Sequence, residues 1–240
     1  MKLASLKSEN FSKKARNAKE IKLLIIHYTG MQSMRASIKR LVSTKHQVSC
    51  HYLISREGKI FQMVKDNRVA WHAGKSKWGK FENLNDKSIG IELVNKGHKF
   101  GYQKFSRKQI SGLVKLCTQL KRKYKIKNRF ILGHSDIAPL RKSDPGEKFP
   151  WLKLKKRKIG IWYSLSKQDS LLKKLNKKDI RKIFFKNLYK IGYRYFNKNK
   201  PSITDKLIIK SFQRRFRQKK VNGKVDLECL KISDNLAKNI

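Results

Sequence analysis

Acidic residues, cysteine and long apolar runs are all scarce in this sequence, and each shortage narrows what the chain can be. Only 16 Asp+Glu stand against 61 Lys+Arg, a formal net charge of +45 over 240 residues. Such a chain attracts any polyanion, which makes nucleic acid the first partner to weigh. Lysine is nevertheless spread along the whole chain beside many Asn and Ile. That spread is what a solvated basic surface gives, so no specific nucleic-acid site is expected; the charge sets the sign of a partner and not the function. The three cysteines, Cys50, Cys117 and Cys229, are odd in number, widely spaced and without a CxxC pair, which excludes a disulfide framework. No stretch approaches the ~20 apolar residues needed to span a bilayer. Met1 to Phe11 also holds no apolar run of signal-peptide length, so the expectation is a soluble, unexported and therefore cytoplasmic chain.

What is present is periodic. Hydrophobic residues make up 39% of the chain and recur in blocks, and the four Trp lie outside the Lys-rich runs, so the chain reads as folded and not disordered. Ile21 to Ile26 is a run of strand length that reads as buried on both faces, with His27 at its end. Met34, Ile38, Leu41 and Val42 recur at helical spacing. His51 to Ile54 and Ile60 to Val64, joined by Arg56-Glu57-Gly58-Lys59, read as a β-hairpin. Ile89 to Val94 and Phe130 to Gly133 read as two further central strands. Between them Ser106 and Gln109 form a capping-box signature ahead of Ile110, Leu113, Val114, Cys117, Leu120 and Tyr124 on one helical face; Cys117 is thereby a core residue. Strands interleaved with helices predict an α/β domain with a mixed central sheet flanked by helices, over residues 1–163. A polar linker follows at 164–176, and 177–240 carries three helical patterns. Ile180, Ile183, Phe184, Leu188 and Ile191 form the first, ended by Gly192. Thr204 caps the second, with Leu207, Ile208, Phe212 and Phe216, and Asp226 caps the third, with Leu227 and Leu230.

The chemistry concentrates where strands end. Gly133-His134-Ser135-Asp136-Ile137-Ala138-Pro139 and Arg141-Lys142-Ser143-Asp144-Pro145-Gly146 put polar groups on a punctuated loop after a buried strand, and His27 ends another strand in the same way. Two imidazoles and a carboxylate can hold a catalytic zinc with one position left for water. Spacing alone leaves this open, since strand-end histidines also serve as caps or surface groups.

The segments Ile26-His27-Tyr28-Thr29, Ser49 to Ile54, Ala70-Trp71-His72-Ala73-Gly74, Leu84 to Asn95, Gly133 to Gly146, Phe149-Pro150-Trp151 and Gly160-Ile161-Trp162 resemble, in order and separation, the zinc-dependent N-acetylmuramoyl-L-alanine amidase family. They are most similar to its bacterial branch with a Glu base. The resemblance covers nearly all of residues 20–163. It implies one zinc ion (Zn2+) held by His27, His134 and Asp144, with Glu92 as general base for the attacking water and Lys142 stabilising the oxyanion. The implied substrate is the amide bond between N-acetylmuramic acid, or its anhydro form, and L-alanine in peptidoglycan or muropeptides. A carboxyl group on an otherwise apolar strand is costly to bury unless something uses it, which suits Glu92 to that role. His51 and His72 either line the substrate cleft or make hydrogen bonds beneath it. Trp71 is either a flat wall for substrate or a core residue, and Asn85 either bonds the peptide or caps a turn. Asp136 is read as orienting the loop, and His46 and His98 as surface residues. The family pattern often has Gly where this chain has Leu140, a change that removes no ligand.

Residues 177–240 resemble a small helical peptidoglycan-binding module, carried by Leu188 to Tyr193, Ile209 to Phe216 and Val221 to Asp226; a generic basic three-helix extension is the alternative. A wall-binding module would favour a periplasmic or wall-associated location over a cytoplasmic one. Two other functions compete. A nucleic-acid-binding protein would use Arg214, Arg215 and the Lys-rich linker as phosphate contacts, but leaves the strand-end histidines and Glu92 without purpose. A non-catalytic peptidoglycan receptor on the same scaffold would be marked by loss of a ligand or of Glu92, and all four residues are present.

Overall fold

The computed structural model describes residues 4–165, 175–197 and 200–240. Its centre is the run read as doubly buried: β3 (Leu23–Tyr28), in which Leu23, Leu24, Ile25 and Ile26 are sealed from solvent. It lies between two parallel neighbours, β9 (Ser88–Leu93) and β10 (Ile131–Gly133). Outward from β9 come β4 (Tyr52–Ile54), parallel to it, then β5 (Ile60–Gln62), antiparallel to β4 as the expected hairpin, and β1 (Ala4–Ser5). The sheet is mixed, in the order β1-β5-β4-β9-β3-β10. Two ribbons stand beside it, β2 (Phe11–Ala15) with β6 (Arg68–Ala70) and β7 (Lys77–Trp78) with β8 (Phe81–Glu82).

One strand is displaced from its expected place. β10 lies at the edge of the sheet and not at its centre. Its apolar character comes from being covered, because the Arg215 guanidinium donates to the Ile131 carbonyl at 2.9 Å and occupies an edge group that a further strand would have taken.

Alternation along β3 sends Leu24 and Ile26 to one face and Leu23 and Ile25 to the other. On the first face α2 (Arg107–Lys123) packs Leu113, Leu116, Cys117 and Leu120 against Leu24, Ile26, Ile89 and Ile91. Ser106 caps this helix by accepting from the Gln109 amide. The reciprocal half of the capping box is missing, because Gln109 Nε2 donates to the carbonyls of Ile54 and Val94 and ties the helix to the sheet. Of two shorter helices, α1 (Met34–Val42) is capped by Ser33, and α4 (Trp151–Lys156) adds Trp151 and Leu154 to the cluster beneath α2.

The opposite face is covered by α5 (Lys177–Ile191), α6 (Asp205–Phe216) and α7 (Leu227–Lys238). Phe184, Leu188, Ile208, Phe212, Phe216 and Leu230 share one apolar cluster with Leu23, Ile25, Trp78, Leu132 and Ile137. Each such side chain, moved out of water, contributes on the order of 2 kcal/mol, so the helices are anchored to the sheet by its own core. Asn176 and Asp226 cap α5 and α7, and Gly192 ends α5 at φ 134°. Thr204 makes no side-chain cap on α6; Asp205 instead accepts from the Ser202 amide. Of the expected linker, residues 166–174 lie outside the described residues. All three cysteines are buried and free. Among the described residues no helix is long and apolar enough to cross a membrane.

Candidate active site

Parallel strands deliver their carboxyl ends to the same side of a sheet. β3, β9 and β10 therefore place His27, Glu92 and His134 together. His27 and Glu92 occupy the same register position of the β3–β9 ladder, so both side chains leave the sheet on the face of Leu23 and Ile25. His134 opens the single turn α3 (His134–Ile137) directly after β10. The chain then loops back, and the Ser135 amide donates to the Asp144 carbonyl at 2.8 Å, fixing Asp144 beside the two histidines.

The three expected ligands converge. His27 Nδ1 lies 2.9 Å from His134 Nδ1 and 3.1 Å from Asp144 Oδ2, and His134 Nδ1 lies 3.2 Å from the same oxygen. All three residues are buried. Burial, followed by the charge of His134, pushes the His27 imidazole down to about 4. Burial alone would push Asp144 up, but the two histidines hold its carboxyl far below the usual range. His134 Nε2 donates to the Ala73 carbonyl at 3.1 Å, a tautomer whose neutral ring turns an Nδ1 lone pair toward another imidazole nitrogen and a carboxylate oxygen. Three electron-rich atoms facing one another call for a cation. A tetrahedral zinc at about 2.0–2.1 Å from each donor would set them about 3.3 Å apart, close to the separations present.

Glu92 is partly open to the cleft, yet its Oε2 is sealed from solvent and meets no hydrogen-bond donor. Burial, then the Asp144 charge, pushes this carboxyl up to about 8, while Lys142 pulls the other way. A carboxyl poised near neutrality is what proton transfer in both directions requires.

The cleft encloses about 600 Å³ and is lined by His27, Glu92, His134, Lys142 and Asp144, together with Trp71 and His72. Two expected substrate contacts lie outside it. His51 is wholly buried beneath the floor, with Arg16 Nη2 2.7 Å from its Nε2 and the Gly90 amide donating to its Nδ1. Asn85 accepts the His72 and Ala73 amides at 3.1 and 2.7 Å. Trp71 is a half-buried wall whose Nε1 reaches Ser12 Oγ.

His98 is exposed, as expected, and also lines the cleft mouth. Its Nδ1 lies 2.8 Å from the Tyr28 hydroxyl, its Nε2 lies 3.1 Å from Glu147, and its ring stacks on Tyr102. The sequence carried one signal for it, the turn at Gly97 just past the Glu92 strand; His46 is exposed as expected. Arg40, Lys99 and Arg141 also line the cleft and were not singled out by sequence. Asp136 does orient the loop: it accepts from the Gly133 amide, the Tyr193 hydroxyl and Arg215. Arg215 is only 2% exposed, so it cannot serve as the phosphate contact that a nucleic-acid reading required.

The sequence profile of the N-acetylmuramoyl-L-alanine amidase family matches residues 17–147. The N-acetylmuramoyl-L-alanine amidase AmiD of Escherichia coli is 35% identical over 231 residues, which are 90% of this chain and 82% of that protein. The 1,6-anhydro-N-acetylmuramyl-L-alanine amidase AmpD of Haemophilus influenzae is 35% identical over 164 residues, 61% of this chain and 86% of that one. Among solved structures, E. coli AmiD in complex with anhydro-N-acetylmuramic acid-L-Ala-D-gamma-Glu-L-Lys superposes with a TM-score of 0.80 at 32% identity, covering 95% of this chain and 92% of that one. AmpDH3 of Pseudomonas aeruginosa, bound to anhydromuramic pentapeptide, gives a TM-score of 0.82 at 30% identity, with 96% of both chains covered.

Proposed function

The chain belongs to the N-acetylmuramoyl-L-alanine amidase family, and from that membership we propose how its cleft hydrolyses the amide bond between N-acetylmuramic acid, or its anhydro form, and L-alanine. The observation that carries the chemistry is the convergence of His27 Nδ1, His134 Nδ1 and Asp144 Oδ2 on one point, beside the strand position that holds Glu92. Two imidazole nitrogens and one carboxylate oxygen are a catalytic zinc's donor set, and these three residues would hold the ion. Bound there, zinc supplies a Lewis acid that polarises the scissile carbonyl and activates water.

The chain's own groups do the rest. Ionised Glu92 takes a proton from the attacking water, and the protonated carboxyl then hands it to the alanine nitrogen as the C–N bond breaks. The products are a carboxylate on the muramyl lactyl group and a free peptide amine. Lys142, lining the same cleft, presents its ammonium to the negative charge that develops on the carbonyl oxygen. Arg40, Lys99 and Arg141 face the cleft as well, a lining suited to a stem peptide that carries carboxylates. The substrates held by the AmiD and AmpDH3 structures, anhydromuramyl peptides, support that class of ligand here. We assign residues 177–240 a second role beside any contact with the wall, as a buttress of the His134 loop through Arg215 and Tyr193.

The test is a digestion. Purified protein carrying about one zinc per chain should release stem peptides from an anhydro-muropeptide, with products read by mass, and intact sacculi run in parallel rank the two substrates. Activity that survives both thorough chelation and Glu92→Ala would sink the mechanism.

A further inference from the structure

We propose that His72 and Asn85 are positioning residues that fix both ligand histidines in the tautomer a metal needs, and that neither reads substrate. The inference rests on the zinc-site reading above and follows from the direction of each hydrogen bond.

Ser88 Oγ lies 2.6 Å from the Leu84 carbonyl, which can only accept, so the single hydroxyl hydrogen points there. Toward His72 Nε2, 3.2 Å away, Ser88 can then only accept, and His72 carries its proton on Nε2. The ring is buried and its two polar partners, Ser88 Oγ and His27 Nε2, include no carboxylate to balance a charge, so it holds a single proton and its Nδ1 is bare. That bare nitrogen lies 3.0 Å from His27 Nε2, which must be the donor. His27 is thereby left with a free lone pair on Nδ1, the atom that faces His134 and Asp144.

The same backbone strap sets the other histidine. His134 Nε2 donates to the carbonyl of Ala73, the residue after His72. Arg141 Nη2 donates to that carbonyl too, so its 3.4 Å approach to His134 Nε2 is two donors sharing one oxygen. Asn85 Oδ1 accepts the amides of both His72 and Ala73 and holds the strap against the sheet. Gly90 supplies independent support. It sits in the ordinary extended backbone of β9, where any residue would do, yet a Cβ there would come within 2.3 Å of the His72 ring. The sheet is hollowed at the one place where the His72 ring lies.

A ligand histidine usually donates its second N–H to a carbonyl, a carboxylate or water, and losing such a partner costs about 10–100-fold in metal affinity. Zinc affinity, measured on the full chain by competition with a chromophoric chelator, should therefore fall by about that factor in His72→Leu and in Asn85→Ala. His72→Gln, which keeps an acceptor and a donor, should recover part of the loss, and KM for an anhydro-muropeptide at saturating zinc should move less than about twofold. Unchanged zinc affinity with a raised KM would overturn the inference and make the two residues substrate contacts. Wild-type protein that takes up no zinc would overturn the site reading and this inference together. A measurement without variants guards against misfolding: long-range proton–nitrogen NMR of the metal-free wild type should find His27 and His134 protonated on Nε2, and a proton on Nδ1 of either would overturn the assignment.

Discussion

Arg215 on α6 and Asp136 in the turn after His134 form a buried ion pair, Nη1 to Oδ2 at 2.5 Å, in which neither side chain is more than 2% exposed. The guanidinium also packs over the Trp151 ring and donates to the Ile131 carbonyl. One residue of the C-terminal helices thus satisfies the edge strand, the His134 turn and an aromatic of the sheet's other face.

Breaking that pair leaves a charge in the core without a partner, which costs about 3–5 kcal/mol. Arg215→Met should lower the unfolding free energy by that order in urea titrations, and Asp136→Asn by less, since an amide still accepts from the Gly133 amide. Because the turn carries His134, both variants should also bind zinc more weakly. A stability change below about 1 kcal/mol for Arg215→Met would mean that the helices do not buttress the loop.

Glu92 gives the metal-free protein a pH signature. Its carboxyl is pushed from the ordinary 4.5 to about 8 in the fold, so between those values the folded chain holds a proton that the unfolded chain releases. Its contribution is fully present below pH 4.5 and is lost as pH rises through 8. Glu92→Gln cannot ionise, so the variant should be no more stable than wild type at pH 4.5 and more stable by on the order of 5 kcal/mol at pH 9. Thermal melts of both proteins across that range, with chelator present, give the comparison; a difference that does not grow with pH would contradict a raised Glu92.

Zinc removal should act on stability as well as on activity, because an ion that binds only the folded chain stabilises it by mass action. Free zinc at a hundred times its dissociation constant adds about 2.7 kcal/mol. Melting temperature should rise with added zinc in wild type and not in His134→Ala, and a rise of equal size in both would place the ion elsewhere.

Much of this was legible in the sequence, and the exceptions share a cause. β3, β9 and α2 announce themselves because their apolar spacing is local. The three residues proposed to hold the metal are legible only through the ordered motifs, since a gap of 107 residues separates His27 from His134 and no periodicity spans it. Whether a histidine lines a cleft or lies beneath it depends on which neighbour takes its protons. His51 went below because Arg16, from the poorly patterned N-terminal segment, claims its Nε2. His98 is exposed as read from sequence, but its place at the cleft mouth follows from the loop after β9 folding back to Glu147. β10 read as a central strand because its edge is closed by a side chain 84 residues away. Each of these is a long-range pairing that composition and spacing do not encode.

The net charge of +45 makes a last prediction that separates surface from site. A polybasic surface binds nucleic acid by displacing the counterions condensed on its phosphates, so log K falls linearly with log salt and sequence is not read. With 6–10 phosphates engaged, affinity should drop by about 10³–10⁵ between 50 and 200 mM salt. Arg215, the most conspicuous arginine on α6, is committed to Asp136 and cannot contribute to that slope. Fluorescence anisotropy on two duplexes of unrelated sequence should therefore give equal affinities at each salt concentration and near-complete loss at 200 mM. Muropeptide hydrolysis in the same buffers should be retained, because the proposed metal-holding residues and Glu92 lie in a cleft where salt screens little. Tight, sequence-dependent binding that persists at 200 mM would show a dedicated nucleic-acid site on this surface.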